Sequence, residues 1–340
     1  MYLMLCMHAS YRFYRLEQRL ARRHLGCMEN HAMNHSKLVV VGAGQIGTPL
    51  VERLAREGHR VVWVSRSKPS RIPNGVTHVA LDARHGAELA RLATGARAII
   101  AAANPPIYDA AVWKKQLVPL TAGLLDGARL SGSRLVLLDG LYMYALDRGP
   151  LRPATPQEPA TEKGKIRKAL ADMVVAAQRE GVRAVSLRAS DFLGAGLARS
   201  LLNASAIERI KQGKSPLLIG DPDVPHAFSM RDDVIDALVQ LAFAPDDVEG
   251  QVFHAPVVHE TTRNLVEREA RTHGTAIEVR AMPGWLLRIA GLFSRDTRGL
   301  VEMLPQWSAP YLVDDSSYRK RFQGPRAALS ESVTPGDADG

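Results

Sequence analysis

Cysteine is almost absent from this chain, whose 340 residues include only Cys6 and Cys27, both near the N-terminus. The rest of the sequence therefore offers no disulfide framework, thiolate metal cage or cysteine nucleophile. Its histidines have no metal-ligand spacing, so we expect no metal site. No apolar run reaches the roughly 18 residues needed to span a bilayer, and we therefore expect no membrane partner.

Aromatic residues are also scarce, at 6% of the chain, although the net charge is +9. Residues 1–35 carry +3 of this charge, because five arginines there outnumber two glutamates. The remaining positive charge is spread thinly. Single-strand binders interleave Lys and Arg with aromatic side chains, and the sequence has no such run. We therefore expect no nucleic-acid partner.

From Lys37 onward, short β-branched runs alternate with longer amphipathic segments, a pattern typical of βαβ units around a parallel sheet. It predicts an α/β fold with six strands in doubly wound order. The predicted strands are Leu38–Val41, Arg60–Ser65, Thr77–Leu81, Ala98–Ala102, Arg134–Leu138 and Ala184–Leu187. The predicted helices are 45–57, 86–94, 111–129, 164–180, 197–212 and 232–243.

The first strand runs into GAGQIG, whose glycines are Gly42, Gly44 and Gly47. In such a turn the first glycine permits the tight bend and the second lets a pyrophosphate approach the backbone. The third lets the helix pack close to the sheet. The following helix would offer free N–H groups and its positive dipole end to the phosphates. Because the motif sits in a βαβ unit, it predicts a dinucleotide site on a Rossmann fold.

The second strand ends in VSRSK, where an NAD site would usually place Asp or Glu to accept from the ribose 2′-hydroxyl. This chain has Ser65 and Arg66 instead, with Lys68 close by. A hydroxyl and a guanidinium can bind a 2′-phosphate, which a carboxylate would repel. We therefore predict NADP as the cofactor, with NAD as the alternative. A solvated loop arginine is the competing interpretation of Arg66.

GAGQIG and VSRS are followed by LDA at 81–83, AAANPP at 101–106, LVLLDGLYMYA at 135–145 and LRASDFLGAG at 187–196. Together these motifs resemble the short-chain dehydrogenase/reductase superfamily, and most closely its extended and atypical members, the NAD-dependent epimerase/dehydratase proteins. The resemblance covers about residues 37–325. It implies that Ala101 to Ala103 pass under the adenosine and that Arg188 to Asp191 line the nicotinamide end. The predicted cofactor-binding residues are Gly42, Gly44, Gln45, Ile46, Gly47, Ser65, Arg66, Asp82, Ala102 and Lys165.

Two of those assignments have competing interpretations. The resemblance places Asp82 near the adenine, but Asp82 could equally cap the next helix. It places Lys165 on the nicotinamide ribose, but Lys165 lies among other cations on its helix and could be a solvated lysine.

The catalytic positions depart from the family pattern. The resemblance implies a Tyr four residues before a Lys, together with a strand-end Ser or Thr. The Lys lowers the pKa of the Tyr, which then transfers a proton during hydride transfer. Thr161 stands at the Tyr position before Lys165, and Asp139, Gly140 and Leu141 stand where the Ser is usual. Lys165 and Tyr142 are therefore the catalytic candidates, with Tyr142 as a replacement proton donor or as a wall residue.

We expect an NAD(P)-dependent oxidoreductase or epimerase/dehydratase-like enzyme that acts on a small organic or sugar-derived substrate. The alternative is a cofactor-binding sensor or assembly factor that has lost the chemistry. We expect a non-core extension at 1–35, an NADP-binding Rossmann domain at 36–190, a smaller α+β substrate region at 191–330 that partly returns to the core, and a frayed tail at 331–340. The chain lacks a secretory signal pattern, so the expected location is cytoplasmic. A homodimer through the helices after the fourth and fifth strands would suit the resemblance.

Overall fold

The computed structural model describes residues 36–322, apart from Arg148, Ala195, Ala198 and Arg199. The predictions for the N-terminal extension and the C-terminal tail lie outside these residues.

The main element is a seven-stranded sheet in which every pairing is parallel. Its strands are β1 (Lys37–Val41), β2 (Arg60–Ser65), β3 (Val76–Ala80), β4 (Ala98–Ala101), β5 (Arg134–Asp139), β6 (Ala184–Arg188) and β9 (Val252–His254). They lie in the order β3-β2-β1-β4-β5-β6-β9. The first six follow the doubly wound order, so the predicted fold class is confirmed. The seventh strand was not predicted, because three residues are too few to show a period.

Helices cover both faces of this sheet. The α-helices of the described residues, including those that pack elsewhere, are α1 (Gly47–Arg56), α2 (Gly86–Ala93), α3 (Ala110–Ser131), α4 (Glu162–Arg179), α5 (Glu208–Lys211), α6 (Arg231–Phe243), α7 (Thr262–Thr272), α8 (Gly284–Phe293), α9 (Arg295–Trp307) and α10 (Ser316–Phe322). Strand β1 shows why both faces must be covered, because its side chains alternate between two separate buried clusters. Leu38 and Val40 belong to one cluster, and Val39 and Val41 belong to the other.

The stretch predicted as one helix at 197–212 is less regular than expected. It contains a π-helical turn at Asn203–Ile207 followed by the single turn of α5. The side chains of Ser200 and Asn203 donate to the carbonyl oxygens of Phe192 and Gly194, at 2.6 and 2.7 Å. These side chains tie the segment to the preceding strand, a tertiary constraint that helix propensity does not contain.

A smaller three-stranded sheet lies beyond β6. It contains β7 (Asp191–Leu193), β8 (Pro225–Met230) and β10 (Val258–Thr261), in the order β10-β8-β7. The chain then comes back to the main sheet, where α10 packs on β9 and buries Tyr318 against Phe253. None of the helices within the described residues is both long and apolar enough to cross a bilayer.

Candidate functional site

The glycine turn sits at the carboxyl end of β1, between β2 and β4. Gly42 has φ +117°, a conformation that favours glycine, and its amide donates to the Val64 carbonyl at 2.9 Å. A Cβ at Gly42 would lie 2.9 Å from the Ala103 amide nitrogen and 3.0 Å from the Ala102 carbonyl carbon. The buried Trp63 indole donates to the Gly42 carbonyl at 2.9 Å. These contacts fix the bend and place Ala102 directly against it.

The other two glycines of the turn differ from each other in the space around them. A Cβ at Gly47 would lie 2.2 Å from the Gly42 carbonyl oxygen, so only glycine lets α1 start this close to the strand. A Cβ at Gly44 would meet no atom within 4 Å. The buried Ile46 precedes α1 and provides no side-chain cap, and the first turn of α1 has no acidic residue. Open space at Gly44, next to an uncapped helix N-terminus, fits the pyrophosphate of a dinucleotide.

The ends of β2 and β3 carry the predicted adenosine contacts. Ser65 donates to the Ser67 carbonyl at 2.7 Å and lies 2.9 Å from His78 Nε2. Arg66 is exposed and has no hydrogen-bond partner among the described residues. Asp82 accepts from the Arg84 backbone and guanidinium, which hold the pKa of its carboxyl below the usual range, with a smaller contribution from Arg66. Hence Ser65, Arg66 and Asp82 meet at one corner of the sheet edge.

Helix α4 presents Thr161 and Lys165 in roles that differ from those of the family's Tyr and Lys. Thr161 is the N-cap, and its hydroxyl accepts from the Gly164 amide at 3.0 Å. The Lys165 side chain is 59% exposed and pairs with Glu162 at 2.6 Å. The structure therefore does not bring Lys165 to the other predicted site residues. Its ribose-binding role stays a prediction.

The inward face of α4 carries two cations that the sequence analysis did not select, Lys163 and Arg167. Arg167 is buried and donates to Asp139 at the end of β5 and to Asn104 after β4, at 2.8 and 2.7 Å. Its guanidinium lies over the Trp113 ring, 4.7 Å from the centroid. The sequence pattern could have predicted that this face is buried. Lys163 and Arg167 continue the i, i+4 row of buried apolar residues farther along α4.

Helix α9 closes over Lys163. The Lys163 ammonium is fully buried and pairs with Glu302 at 2.6 Å, donates to the Gly299 carbonyl at 3.0 Å and lies 4.4 Å from the centre of the Tyr108 ring. Asp296 also accepts from the Tyr108 amide, at 2.8 Å. A Cβ at Gly299 would lie 1.8 Å from the Tyr108 carbonyl oxygen, so the helix is in direct contact with this loop.

Tyr142 occupies the space at the end of β5 where a strand-end side chain would lie. A Cβ at Gly140 would come within 2.7 Å of the Tyr142 ring, so the ring and a serine at 140 exclude each other. The Tyr142 hydroxyl accepts from Tyr108 at 3.2 Å. Loss of hydration around this hydroxyl raises the pKa of Tyr142 to about 12, so it stays protonated at neutral pH. Tyr142 as a whole is only partly buried.

At and after the end of β6, the residues expected at the nicotinamide end form two separate groups of contacts, one around Arg188 and one around Asp191. Arg188 donates to the Tyr144 hydroxyl, which lies 3.1 Å from His254 Nε2. Burial and the nearby Arg188 charge lower the pKa of His254 to about 4, so this imidazole is neutral. Asp191 accepts from Gln306 at 2.8 Å and lies 2.9 Å from His226 Nε2.

The arrangement combines an open glycine turn with a protonated phenol at the same sheet edge. Only β4 separates β1 from β5, so the glycine turn and the end of β5 are about 10 Å apart. The carboxyl ends of the parallel strands lie at this edge of the sheet, and open α/β sheets bind their ligands at that edge. No cluster of three or more His, Cys, Asp or Glu side chains suited to a metal ion occurs in the described part of the chain.

Comparison with known proteins gives a consistent picture. The family model described as the NAD dependent epimerase/dehydratase family matches residues 38–255. A search of curated proteins found no match. Several solved structures share the fold, at sequence identities of 20% or less.

Three of these structures illustrate the likeness. UDP-glucuronic acid 4-epimerase from Bacillus cereus, in complex with NAD, aligns with a TM-score of 0.69 at 15% identity, over 87% of this chain and 96% of that one. A double mutant of the dTDP-glucose 4,6-dehydratase DesIV from Streptomyces venezuelae, with NAD bound, gives 0.68 at 20% identity, over 86% and 92%. UDP-glucose 4-epimerase from Thermotoga maritima, with UDP-glucose, gives 0.65 at 16% identity, over 84% and 91%.

The family match covers well over half of the chain, and the glycine turn that it includes has the local geometry that a dinucleotide requires. This protein therefore belongs to the NAD-dependent epimerase/dehydratase family.

Proposed function

We propose that this protein is an NADP-preferring oxidoreductase or epimerase-like enzyme, acting on a small organic or sugar-derived substrate by reversible hydride transfer. One observation carries the proposal: Tyr142, protonated and only partly buried, stands where a strand-end Ser would lie, at the same sheet edge as the open glycine turn. The bound cofactor supplies the hydride donor or acceptor.

The protein's own groups then take the remaining roles. Tyr142 gives a proton to, or takes one from, the substrate oxygen, and Tyr108 donates to its oxygen from the other side. Arg167 holds Asp139 and Asn104 in place at the ends of β5 and β4. Lys165 would have to leave Glu162 and cross to the inner face of α4 to reach the ribose, so we assign it the smaller role.

NADP preference is supported by Arg66, an exposed cation beside Ser65 with no carboxylate at the end of β2. The related structures described above carry NAD, so the cofactor needs a direct test. Arg66→Ala should weaken NADPH binding about tenfold while changing NADH binding little, because only NADPH loses a charge-assisted contact to the 2′-phosphate. Titrations of both cofactors measure this, with Arg60→Ala at the start of β2 as the control. Equal weakening of the two cofactors would overturn the assignment.

A second candidate function is a cofactor-binding sensor or assembly factor without turnover. The observation favouring it is that Thr161 is used as a helix cap and Lys165 faces solvent, so the usual Tyr and Lys pair is not assembled. Retention of the cofactor site is common to both candidates. Only turnover separates them.

The deciding experiment starts with mass spectrometry of ligands that co-purify with the native protein, followed by NADPH oxidation across a panel of small carbonyl compounds. We expect oxidation with at least one compound. Tyr142→Phe should lower the rate of NADPH oxidation at least tenfold. The expected loss is modest for a general acid because a pKa of about 12 is far from neutral pH. Lys165→Ala should change the rate less than twofold. An epimerase returns the hydride and gives no net oxidation, so sugar nucleotides are also incubated with the protein and analysed for epimers. Cofactor binding with neither oxidation nor epimer formation would favour the sensor.

The predicted homodimer through α3 and α4 belongs to the same proposal. Leu130 and Val175, on these two helices, are 65% and 42% exposed, as expected for apolar side chains available to a partner.

A further inference from the structure

Helix α8 turns a large apolar face to solvent. Its exposed apolar side chains are Trp285 (62%), Leu286 (41%), Ile289 (48%), Leu292 (70%) and Phe293 (87%). At about 100° per residue these five positions fall within an arc of about 120° on one side of the helix. We call this set the α8 apolar face. Contiguous apolar surface of this kind marks an interaction site on a folded protein.

The opposite side of α8 is already used for packing. Leu287 is buried, and a Cβ at Gly291 would lie 3.3 Å from the Arg298 Cα of α9. The Arg298 side chain also donates to the Gly291 carbonyl at 3.2 Å. Because α9 in turn contacts Tyr108 and Lys163, α8 is held firmly with its apolar face outward.

The charged residues near the α8 apolar face favour an anionic partner. Helix α8 contains no acidic residue, and Arg288 lies at the edge of the apolar arc. Arg288 is exposed, and so is Arg295 just beyond the C-terminal end of α8, whereas Arg298 lies on the opposite side of the helix. A second copy packed symmetrically on the face would bring Arg288 and Arg295 against their own counterparts, which is unfavourable. An anionic surface would be attracted instead, and the whole chain carries +9.

We propose that α8 docks this protein on anionic phospholipid membranes, with the α8 apolar face inserted at the headgroup level and Arg288 and Arg295 against the lipid phosphates. Tryptophan, phenylalanine and leucine opposite cationic side chains are typical of helices that lie in the membrane interface. Ten residues make a helix about 15 Å long, half of the hydrocarbon thickness, so α8 lies on the membrane and does not cross it. Surface docking of this kind needs no membrane-spanning segment, so the lack of a long apolar run in the sequence did not reveal it.

Tryptophan fluorescence provides a direct test. The chain has four tryptophans, and Trp63, Trp113 and Trp307 are at most 5% exposed, whereas Trp285 is 62% exposed. Added vesicles of phosphatidylcholine with phosphatidylglycerol should shift the emission of the full chain to shorter wavelength. Pure phosphatidylcholine vesicles should shift it far less, and high salt should reduce the shift. Trp285→Phe should abolish the shift but leave co-sedimentation with the mixed vesicles largely intact.

Matched variants complete the test. Leu292→Ser with Phe293→Ser should weaken co-sedimentation with the mixed vesicles about tenfold or more, since both side chains leave the apolar contact. Leu146→Ser with Leu217→Ser removes two exposed leucines that lie outside α8 and outside the proposed dimer surface, and it should leave co-sedimentation unchanged. Equal loss in the two double variants, or no sedimentation of the unmodified chain, would overturn the proposal. A concentration-dependent dimer lost only in the α8 variant would assign the face to a second copy instead.

Discussion

Replacing Gly44 by valine should weaken cofactor binding strongly and leave the fold intact. A Cβ at this position meets no protein atom within 4 Å, and Gly44 is not among the glycines with positive φ, so the side chain is accommodated without strain. It would project into the space assigned to the pyrophosphate. Losing two charge-assisted hydrogen bonds costs about 1.5–3 kcal/mol each, so the dissociation constant should rise about a hundredfold or more. Calorimetric titration with NADPH, paired with thermal unfolding, measures both effects.

Gly47→Ala is the informative comparison. Its Cβ would lie 2.2 Å from the Gly42 carbonyl oxygen, so α1 has to shift, at a cost of about 1–3 kcal/mol in the free energy of unfolding. We expect this variant to lose stability and cofactor binding together. If Gly44→Val binds NADPH as tightly as the unmodified chain, the pyrophosphate does not lie at this turn.

Arg167→Ala should destabilise the protein by about 3–5 kcal/mol. The substitution leaves the Asp139 carboxylate buried, with the Gly140 amide as its remaining hydrogen-bond donor in the described structure. Breaking a buried ion pair from one side costs this much because the remaining charge has lost both its partner and its hydration. Urea unfolding measures the change, which is a large share of the 5–15 kcal/mol typical of a folded domain.

Two further variants separate the ion pair from other effects of the substitution. Asp139→Asn on the Arg167→Ala background removes the stranded charge and should recover part of the stability. Lys165→Ala removes a cation from the exposed face of the same helix and should change stability by less than about 0.5 kcal/mol. A loss below about 1 kcal/mol for Arg167→Ala would mean that water reaches Asp139.

The sequence was sufficient for the parallel sheet and for the geometry of the glycine turn. Alternating β-branched runs and amphipathic segments are local signals, and they predicted six of the seven strands of the main sheet. The separate functions expected of Gly42, Gly44 and Gly47 match the bend, the open space and the close contact that the structure shows. Such features depend on backbone conformation within a few residues, which is why they can be predicted without the rest of the fold.

The face of α4 that meets the site was harder to predict. Matching the family motif selected Thr161 and Lys165, whereas the buried row that includes Arg167 selects the opposite face. Lys163 and Arg167 become inward residues because Glu302, Asp139 and Asn104 arrive from other elements to pair with them. A cation on an apolar helix face is costly unless such partners are present, and they lie at least 28 residues away in the chain.

For this protein the sequence by itself determined the fold class, the glycine turn and the absence of the usual Tyr and Ser. Tertiary structure alone decided that the Tyr142 ring fills the space above Gly140, that Lys165 faces solvent, and which face of α8 remains uncovered. The physical reason is the range of the interactions involved. Backbone bends and side-chain periodicity are encoded locally, whereas burial, ion pairing and exposure depend on which distant elements pack together.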